Sequence, residues 1–175
     1  MNYLIPLLLC ANSVFNQDPC NDFLMLMGQR DTHNTVIDFK EKCGPFEEKI
    51  ELDGMSKTWT SEEKGIIITL VNRAKNHSGI TKFEVMSVEL RSFTNKGGFK
   101  GDFPFGFRLG MDHKMVKCRI MELKSVDYEK KKLTKKSSSF TYTDSPNSAL
   151  QNRQIKIYVS QFDGRSISSI RLRLK

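Results

Sequence analysis

The residues of this chain that could carry chemistry are few, and their spacing does not bring them together. The three histidines are His33, His77 and His113, and spacing gives none of them an acidic partner. His113 and Cys118 stand five positions apart, whereas neighbours on one helix face are three or four apart, so they are poorly placed for a thiolate–imidazole pair. We interpret all three histidines as surface residues.

Catalytic acid pairs and metal-binding motifs are also missing from the sequence. The adjacent acids Glu47-Glu48 and Glu62-Glu63 would point in opposite directions on a strand, or lie in a turn, and neither is the facing carboxylate pair of a glycosidase. No cysteine pair has the Cys-x2-Cys spacing of a zinc site, and no phosphate loop, nucleophile elbow or His-Glu metal motif is present. We therefore predict that the protein is not an enzyme, and that it has no catalytic residues, no metal site and no cofactor.

The N-terminus predicts an export signal peptide over residues 1–17. The apolar run Leu4–Ala11 is too short to span a bilayer, and Ala11-Asn12-Ser13 offers small residues where a signal peptidase cleaves. The segment resembles the leader of exported Bacteroidetes proteins, and Phe15-Asn16-Gln17 is similar to their Phe-x-Gln tail. Lipidation at Cys10 is disfavoured, because a leucine stands before it where a lipidation motif has a small residue. The alternative to a signal peptide is that this segment forms a first buried strand or helix of the fold. We expect a periplasmic or extracellular protein that is not transmembrane once the leader is cleaved.

Three cysteines remain after removal of the leader. In an oxidising compartment, Cys20 before the first helix and Cys43 at the end of the second could join two short helices. The other pairings stay open, since three cysteines allow three pairs. Cys118 would then be a buried, inert thiol on a helix, because free cysteine is among the most buried residue types.

Apolar periodicity and turn residues divide the mature chain into short helices and alternating strands. A helix over 23–27 is followed by a second that Asp31 or Thr32 caps and Gly44-Pro45 ends, and Asp112 caps a third. Predicted strands cover 47–52, 57–60, 66–71, 80–90, 126–128, 140–143, 155–159 and 167–174.

The order of helices then strands occurs twice. It predicts an α+β fold of two tandem units, 18–95 and 96–175, each with short helices followed by an antiparallel sheet. The last two predicted strands of each unit begin at a similar spacing. Their first residues are 14 positions apart in the first unit, Ile66 and Ile80, and 12 apart in the second, Ile155 and Ile167. The alternative is one irregular α+β domain with a sheet of seven or eight strands.

One motif resembles a known family. The segment Phe105–Val116 is similar to the PFGL-x-FGMS-x-x-EV helix start of some bacterial proteins and to the Gly-Met-Ser-x-x-Val helix start of BamE-like outer-membrane assembly lipoproteins. Two helix-plus-sheet units in tandem also resemble the β-lactamase inhibitory protein fold. The chain departs from the family after the helix, where Met121-Glu122-Leu123-Lys124 replaces the usual Leu-Gly-x-Pro. The resemblance implies protein binding through a sheet face or loops, without catalysis.

Charge is divided unevenly along the chain. Residues 1–111 carry 13 Lys/Arg against 14 Asp/Glu, whereas residues 112–175 carry 15 against 6. A basic second half could meet nucleic acid, an anionic membrane or wall polymer, or an acidic protein face. Nucleic acid is not expected, because no motif that reads DNA or RNA accompanies the charge. The alternative is a solvated basic surface that aids solubility.

Two functional hypotheses follow. The first is an exported non-catalytic module that binds another protein, as an inhibitor or an envelope assembly accessory, through exposed aromatic and arginine side chains on the sheet. Core packing is the alternative for Trp59 and Phe83. The residues predicted to contribute to this protein-binding face are Trp59, Phe83, Tyr142, Tyr158, Arg171 and Arg173.

The second hypothesis is a basic surface that binds an anionic envelope polymer or lipid headgroups. It is centred on the lysine-rich stretch of the second half, and it requires these cations to cluster in space. The residues predicted to form this surface are Lys130, Lys131, Lys132, Lys135, Lys136, Arg153 and Lys156.

Overall fold

A computed structural model describes most of the chain from residue 22 onward. The described residues are 22–52, 54–72, 82–91, 97–101, 103–107, 111–123, 126–127, 137–142, 154–162 and 166–175. The predicted signal peptide, 1–17, and the predicted unit boundary at residue 95 lie outside these ranges, so both remain predictions.

The described chain contains eight strands and three α-helices. The strands are β1 (Glu47–Ile50), β2 (Ser56–Ser61), β3 (Ile66–Asn72), β4 (Phe83–Arg91), β5 (Val126–Asp127), β6 (Ser137–Tyr142), β7 (Ile155–Phe162) and β8 (Ser166–Leu174). The helices are α1 (Phe23–Leu26), α2 (Asn34–Cys43) and α3 (His113–Glu122), and a 3-10 turn spans Pro104–Gly106. Each predicted segment therefore contains a strand or helix of the predicted type.

The arrangement of these elements differs from the predicted fold class. Every described strand belongs to one antiparallel sheet, in the order β1-β2-β3-β4-β8-β7-β6-β5. The prediction of two tandem units, each with short helices followed by its own sheet, is therefore wrong. Two separate sheets would each end in an unpaired strand edge, and pairing of β4 with β8, from Ser87 opposite Arg173 to Arg91 opposite Ser169, satisfies both edges. The structure is a strand-dominated domain with three short helices.

One face of the sheet carries the hydrophobic core, and we call it the covered face. Alternation along β3 directs Ile66, Ile68 and Leu70 to this face, because successive side chains on a strand point to opposite sides. The helices contribute their buried residues to the same core cluster. These residues include Phe23 and Leu26 of α1, Val36 and Phe39 of α2, and Val116 and Ile120 of α3.

The N-terminal segment 28–31 extends the centre of the sheet. Its Gly28 N–H donates to the carbonyl of Val85 at 2.9 Å, and its Asp31 N–H donates to the carbonyl of Phe83, also at 2.9 Å. Strand β8 pairs with β4 only from Ser87 to Arg91, and segment 28–31 pairs with the part of β4 before it, from Phe83 to Val85. The segment then leads into α2, whose N-cap is His33 rather than Asp31 or Thr32, since the His33 side chain accepts from the Thr35 N–H at 3.3 Å.

Helix α3 is held by a cap at its start and by an arginine hydrogen bond in its last turn. Asp112 is its N-cap, as predicted, and its carboxylate accepts from the Met115 N–H at 2.8 Å. Arg119 of α3 donates through Nε to the carbonyl of Phe105 at 2.7 Å. Phe105 has a left-handed φ of 65°, an unusual backbone state for a residue with a side chain, and this arginine bond helps to hold it.

Candidate functional site

The second face of the sheet, which we call the open face, carries mainly polar side chains. Strand register places Glu89 of β4 opposite Arg171 of β8, and Arg171 opposite Tyr158 of β7. The neighbouring row places Arg173 opposite Lys156. Because side chains of directly opposed residues lie on the same face, these five residues form a continuous patch over the middle of the sheet.

A buried carboxylate anchors this patch. Glu89 is only 8% exposed, and its two oxygens accept from Arg171 Nε and Arg91 Nε, each at 2.9 Å. Burial raises the pKa of Glu89, but the hydrogen bonds and positive charges of Arg91 and Arg171 outweigh it, so the pKa lies below its ordinary value. The side chains of Arg91 and Arg171 remain about half exposed, at 46% and 49%. Arg171 is therefore held in one position while part of it still faces solvent.

Two further cations lie in the neighbouring row of this patch. Arg173 is exposed and has no ion-pair partner among the described residues. Lys156 is half-buried, and its ammonium lies 5.6 Å from the ring centroid of Tyr158. Arginine and tyrosine are among the side chains that are enriched in protein-binding hot spots.

The six residues predicted for the protein-binding face do not all lie together. Tyr158, Arg171 and Arg173 lie together on the open face. Trp59 lies on the covered face and is 2% exposed, so core packing describes it. Tyr142 is opposite Ile155 in the register, and its side chain is outside the described part of the structure. Phe83, also proposed for this face, is buried in the core.

Most of the predicted anionic-surface residues fall outside the described ranges. These are Lys130, Lys131, Lys132, Lys135, Lys136 and Arg153. Lys156 is described, and the register places it beside Arg173 on the open face. The predicted clustering of the whole set therefore stays a prediction.

Sequence reasoning missed a second charged cluster, which lies at the edge of the covered face. The ammonium of Lys57 is 2.8 Å from an Asp31 oxygen and 3.8 Å from a Glu48 oxygen. The same Glu48 oxygen accepts from Trp59 Nε1 at 2.6 Å. Lys57 is 9% exposed and its ammonium lies 4.6 Å from the Phe83 ring centroid. Alternation could have found it, because Lys57 shares its strand face with the buried Trp59.

The cysteines are partly described. Cys43 is disulfide-bonded at the end of α2, and the predicted partner, Cys20, lies outside the described residues. Cys118 is a free thiol on α3 and is exposed, so the prediction of a buried thiol is wrong. The buried face of α3 is formed by Val116 and Ile120 instead.

No group of three or more metal-ligating side chains occurs among the residues that the structure describes. Within those same residues, no helix combines the length and apolar character needed to cross a bilayer. Comparison of the chain with protein-family models, with curated proteins and with solved structures finds no match.

Proposed function

We propose that this is an exported, non-catalytic binding protein that engages another protein through the open face of its sheet. The observation that carries the proposal is the patch of Tyr158, Arg171 and Arg173 on β7 and β8, in which Tyr158 lies opposite Arg171 and Arg173 lies in the next row of the same face. An aromatic ring beside two guanidinium groups supplies the contacts that dominate many protein interfaces.

The anchoring carboxylate supports this use of the patch. An arginine that must be ordered on binding loses side-chain entropy, and this loss opposes association. Glu89 already fixes Arg171 through two nitrogens, Nε and Nη2, before any partner arrives. The guanidinium can therefore bind with a smaller entropic cost than a freely rotating one.

The charge of the patch indicates the chemistry of the partner. Arg91 and Arg171 bond the carboxylate of Glu89, and Arg173 and Lys156 lie in the next row of the same face, so cations outnumber carboxylates in the patch. We expect the partner to present carboxylates around an apolar group that packs on the Tyr158 ring. An anionic polymer or lipid headgroup would use the same cations but would not need the tyrosine.

Capture from the envelope extract of the source cells tests the proposal. The bait is the mature protein, and the variant carries Arg173→Glu and Lys156→Glu. The matched control is Lys49→Glu, since Lys49 lies in the same register row of the open face but on β1, with its side chain 79% exposed.

We expect one protein at stoichiometric yield with the wild type and with the control, and its loss with the double variant. Equal recovery with the double variant would show that the open face is not the binding surface. Recovery of an anionic polymer that high salt abolishes, without a stoichiometric protein, would replace the proposal by the anionic-surface function.

A further inference from the structure

Two neighbouring rows of the open face are alike in geometry but differ in charge balance. In the first row Glu89 of β4 lies opposite Arg171 of β8, and in the second row Ser87 lies opposite Arg173. Positions two residues apart along an antiparallel pair have the same hydrogen-bonding geometry, so the two arginines meet β4 in the same way. Strand β4 therefore presents a carboxylate to Arg171 and only a hydroxyl to Arg173.

The second row has an excess of positive charge. Arg173 is exposed, has no ion-pair partner among the described residues, and lies opposite Lys156 of β7. Like charges directly opposite each other destabilise a sheet. Among the described register positions of this row, the acid is Asp127 on β5, three strands from Arg173. That is about 14 Å at the ordinary spacing of strands, too far for an ion pair with Arg173.

The β4 side of the second row can accommodate an anion. A serine side chain ends at its hydroxyl oxygen, the level at which the carboxylate of a glutamate begins, so Ser87 leaves out the group that Glu89 supplies in the first row. Thr69 of β3 lies opposite Ser87 on its other side and brings a second hydroxyl to the row. Hydroxyls donate to carboxylate oxygens, so both residues could bond an oxygen that the guanidinium leaves free.

We propose that Arg173 binds a carboxylate of the partner protein above Ser87, as Arg171 binds Glu89 within the chain. The inference rests on the proposed function, because it assigns one carboxylate of that partner to one place on the open face. Arg171 engages Glu89 through both Nε and Nη2, which shows the approach that the partner's group would take. Charge-assisted bonds of this kind are among the strongest hydrogen bonds in proteins, and the positive charge of Lys156 adds to the attraction.

An internal carboxylate in the second row tests the geometry without any partner. Ser87→Glu supplies to Arg173 the group that Glu89 supplies to Arg171, and it should raise the urea midpoint by about 0.3 M. Repulsion by Glu89 should be small, because two arginines already bond it. The matched control Ser87→Gln has the same length without the charge and should give no rise. In an Arg173→Ser background the gain from Ser87→Glu should disappear.

Titration with a small carboxylate tests whether the site takes a ligand. The probe is sodium acetate at constant ionic strength, and the readout is the NMR signal of each arginine Nε–H, with that of Arg173 identified by its loss in Arg173→Lys. Acetate should shift the Arg173 signal more than that of Arg171, whose Nε already donates to Glu89. Dimethyl phosphate, which carries the same charge, should shift it less than acetate does. Ser87→Glu should abolish the response.

The partner captured by the open face supplies the third measurement. Ser87→Glu should weaken its binding about tenfold relative to Ser87→Gln, because the internal carboxylate then occupies Arg173. Both variants leave Tyr158 and all the cations of the patch in place. A difference between them therefore reports on the carboxylate position rather than on the face as a whole.

Four results would overturn the inference. They are equal urea midpoints for Ser87→Glu and Ser87→Gln, a gain that persists in Arg173→Ser, an Arg173 signal that acetate shifts no more than dimethyl phosphate does, and equal partner affinity for the two Ser87 variants. The first three need no partner, so they decide on the site even if no protein is captured. Equal partner affinity for the Ser87 variants, with loss of the partner by the Arg173→Glu and Lys156→Glu double variant, would remove this site and leave the proposed function standing.

Discussion

Two buried charges lie on opposite faces of the same sheet, and they are neutralised in different ways. On the covered face, the cation Lys57 is surrounded by Asp31, Glu48 and the Phe83 ring, and it is 9% exposed. On the open face, the anion Glu89 is surrounded by two arginines, and it is 8% exposed. The exposed fractions are almost equal, but the surroundings are not.

The difference lies in which groups exclude the water. Lys57 is enclosed by the chain itself, because segment 28–31 and β1 bring the two carboxylates to it. Glu89 is enclosed by Arg91 and Arg171, whose own outer parts remain in solvent. A cluster of the first kind can only stabilise the fold. A cluster of the second kind stabilises the fold and also leaves cations exposed to solvent.

Replacement of Lys57 should have the largest effect on stability. Lys57→Met keeps the length of the side chain but leaves Asp31 and Glu48 without their shared cation. We expect a loss of about 3 kcal/mol in the free energy of unfolding, at the lower end for a broken buried pair because Glu48 is 38% exposed. Urea unfolding followed by circular dichroism measures it. The control Lys49→Met, on the exposed edge strand, should change the value by less than about 0.5 kcal/mol.

Replacement of Glu89 should cost less. Glu89→Gln keeps the size of the side chain but leaves two arginines beside each other without a compensating charge. We expect a loss of about 1.5 kcal/mol in the free energy of unfolding, reduced by the solvent that reaches both guanidinium groups. The same urea experiment measures it, with the exposed Glu41→Gln as control. A loss as large as that of Lys57→Met would contradict the distinction between the two clusters.

The pH dependence of stability should distinguish the same carboxylate. The pKa of Glu89 is lowered in the folded protein, so its stabilisation is fully present above the ordinary value of 4.5. That stabilisation is lost as the pH falls through the lower, folded pKa. We expect the urea midpoint of Glu89→Gln to fall less between neutral pH and pH about 3 than that of the wild type. Parallel acid profiles for the two proteins would contradict the assignment.

Replacement of Arg173 should have the smallest effect on stability. This side chain is exposed and unpaired among the described residues, so Arg173→Glu should change the free energy of unfolding by less than about 0.5 kcal/mol. The measurement is the same urea titration. A loss above about 1 kcal/mol would show that Arg173 serves the fold rather than the surface.

Much of the local structure could be predicted from the sequence, but its assembly could not. The β-branched run Ile66–Val71, the cap at Asp112 and the glycine turns each determine an element from nearby residues. Pairing of β4 with β8 joins residues that are far apart in the chain, and no local pattern specifies it. The alternation of polar and apolar residues along a strand indicates which face of the sheet each side chain lies on. It does not indicate which other strand pairs with that strand. For that reason a repeated order of elements predicted two sheets where one forms.

The candidate site was predictable to a similar degree. Tyr158, Arg171 and Arg173 lie on strands whose side chains alternate between the two faces of the sheet. A shared face could therefore be inferred once the pairing of these strands was known. Trp59 has the same strand spacing, but its face is decided by the helices that pack on it. The role of Glu89 depends on Arg171, 82 positions later in the chain. Contacts of that range follow only from the fold.

The affinity of the captured partner for Tyr158→Ala, measured by titration calorimetry, tests the central claim most directly. The matched control is Thr58→Ala, which lies on the same face of the sheet but on β2. If the open face of β7 and β8 is the binding surface, Tyr158→Ala should weaken binding about tenfold or more, and Thr58→Ala should leave it unchanged. Equal affinities for the wild type and Tyr158→Ala, with folding of both confirmed by circular dichroism, would contradict the account.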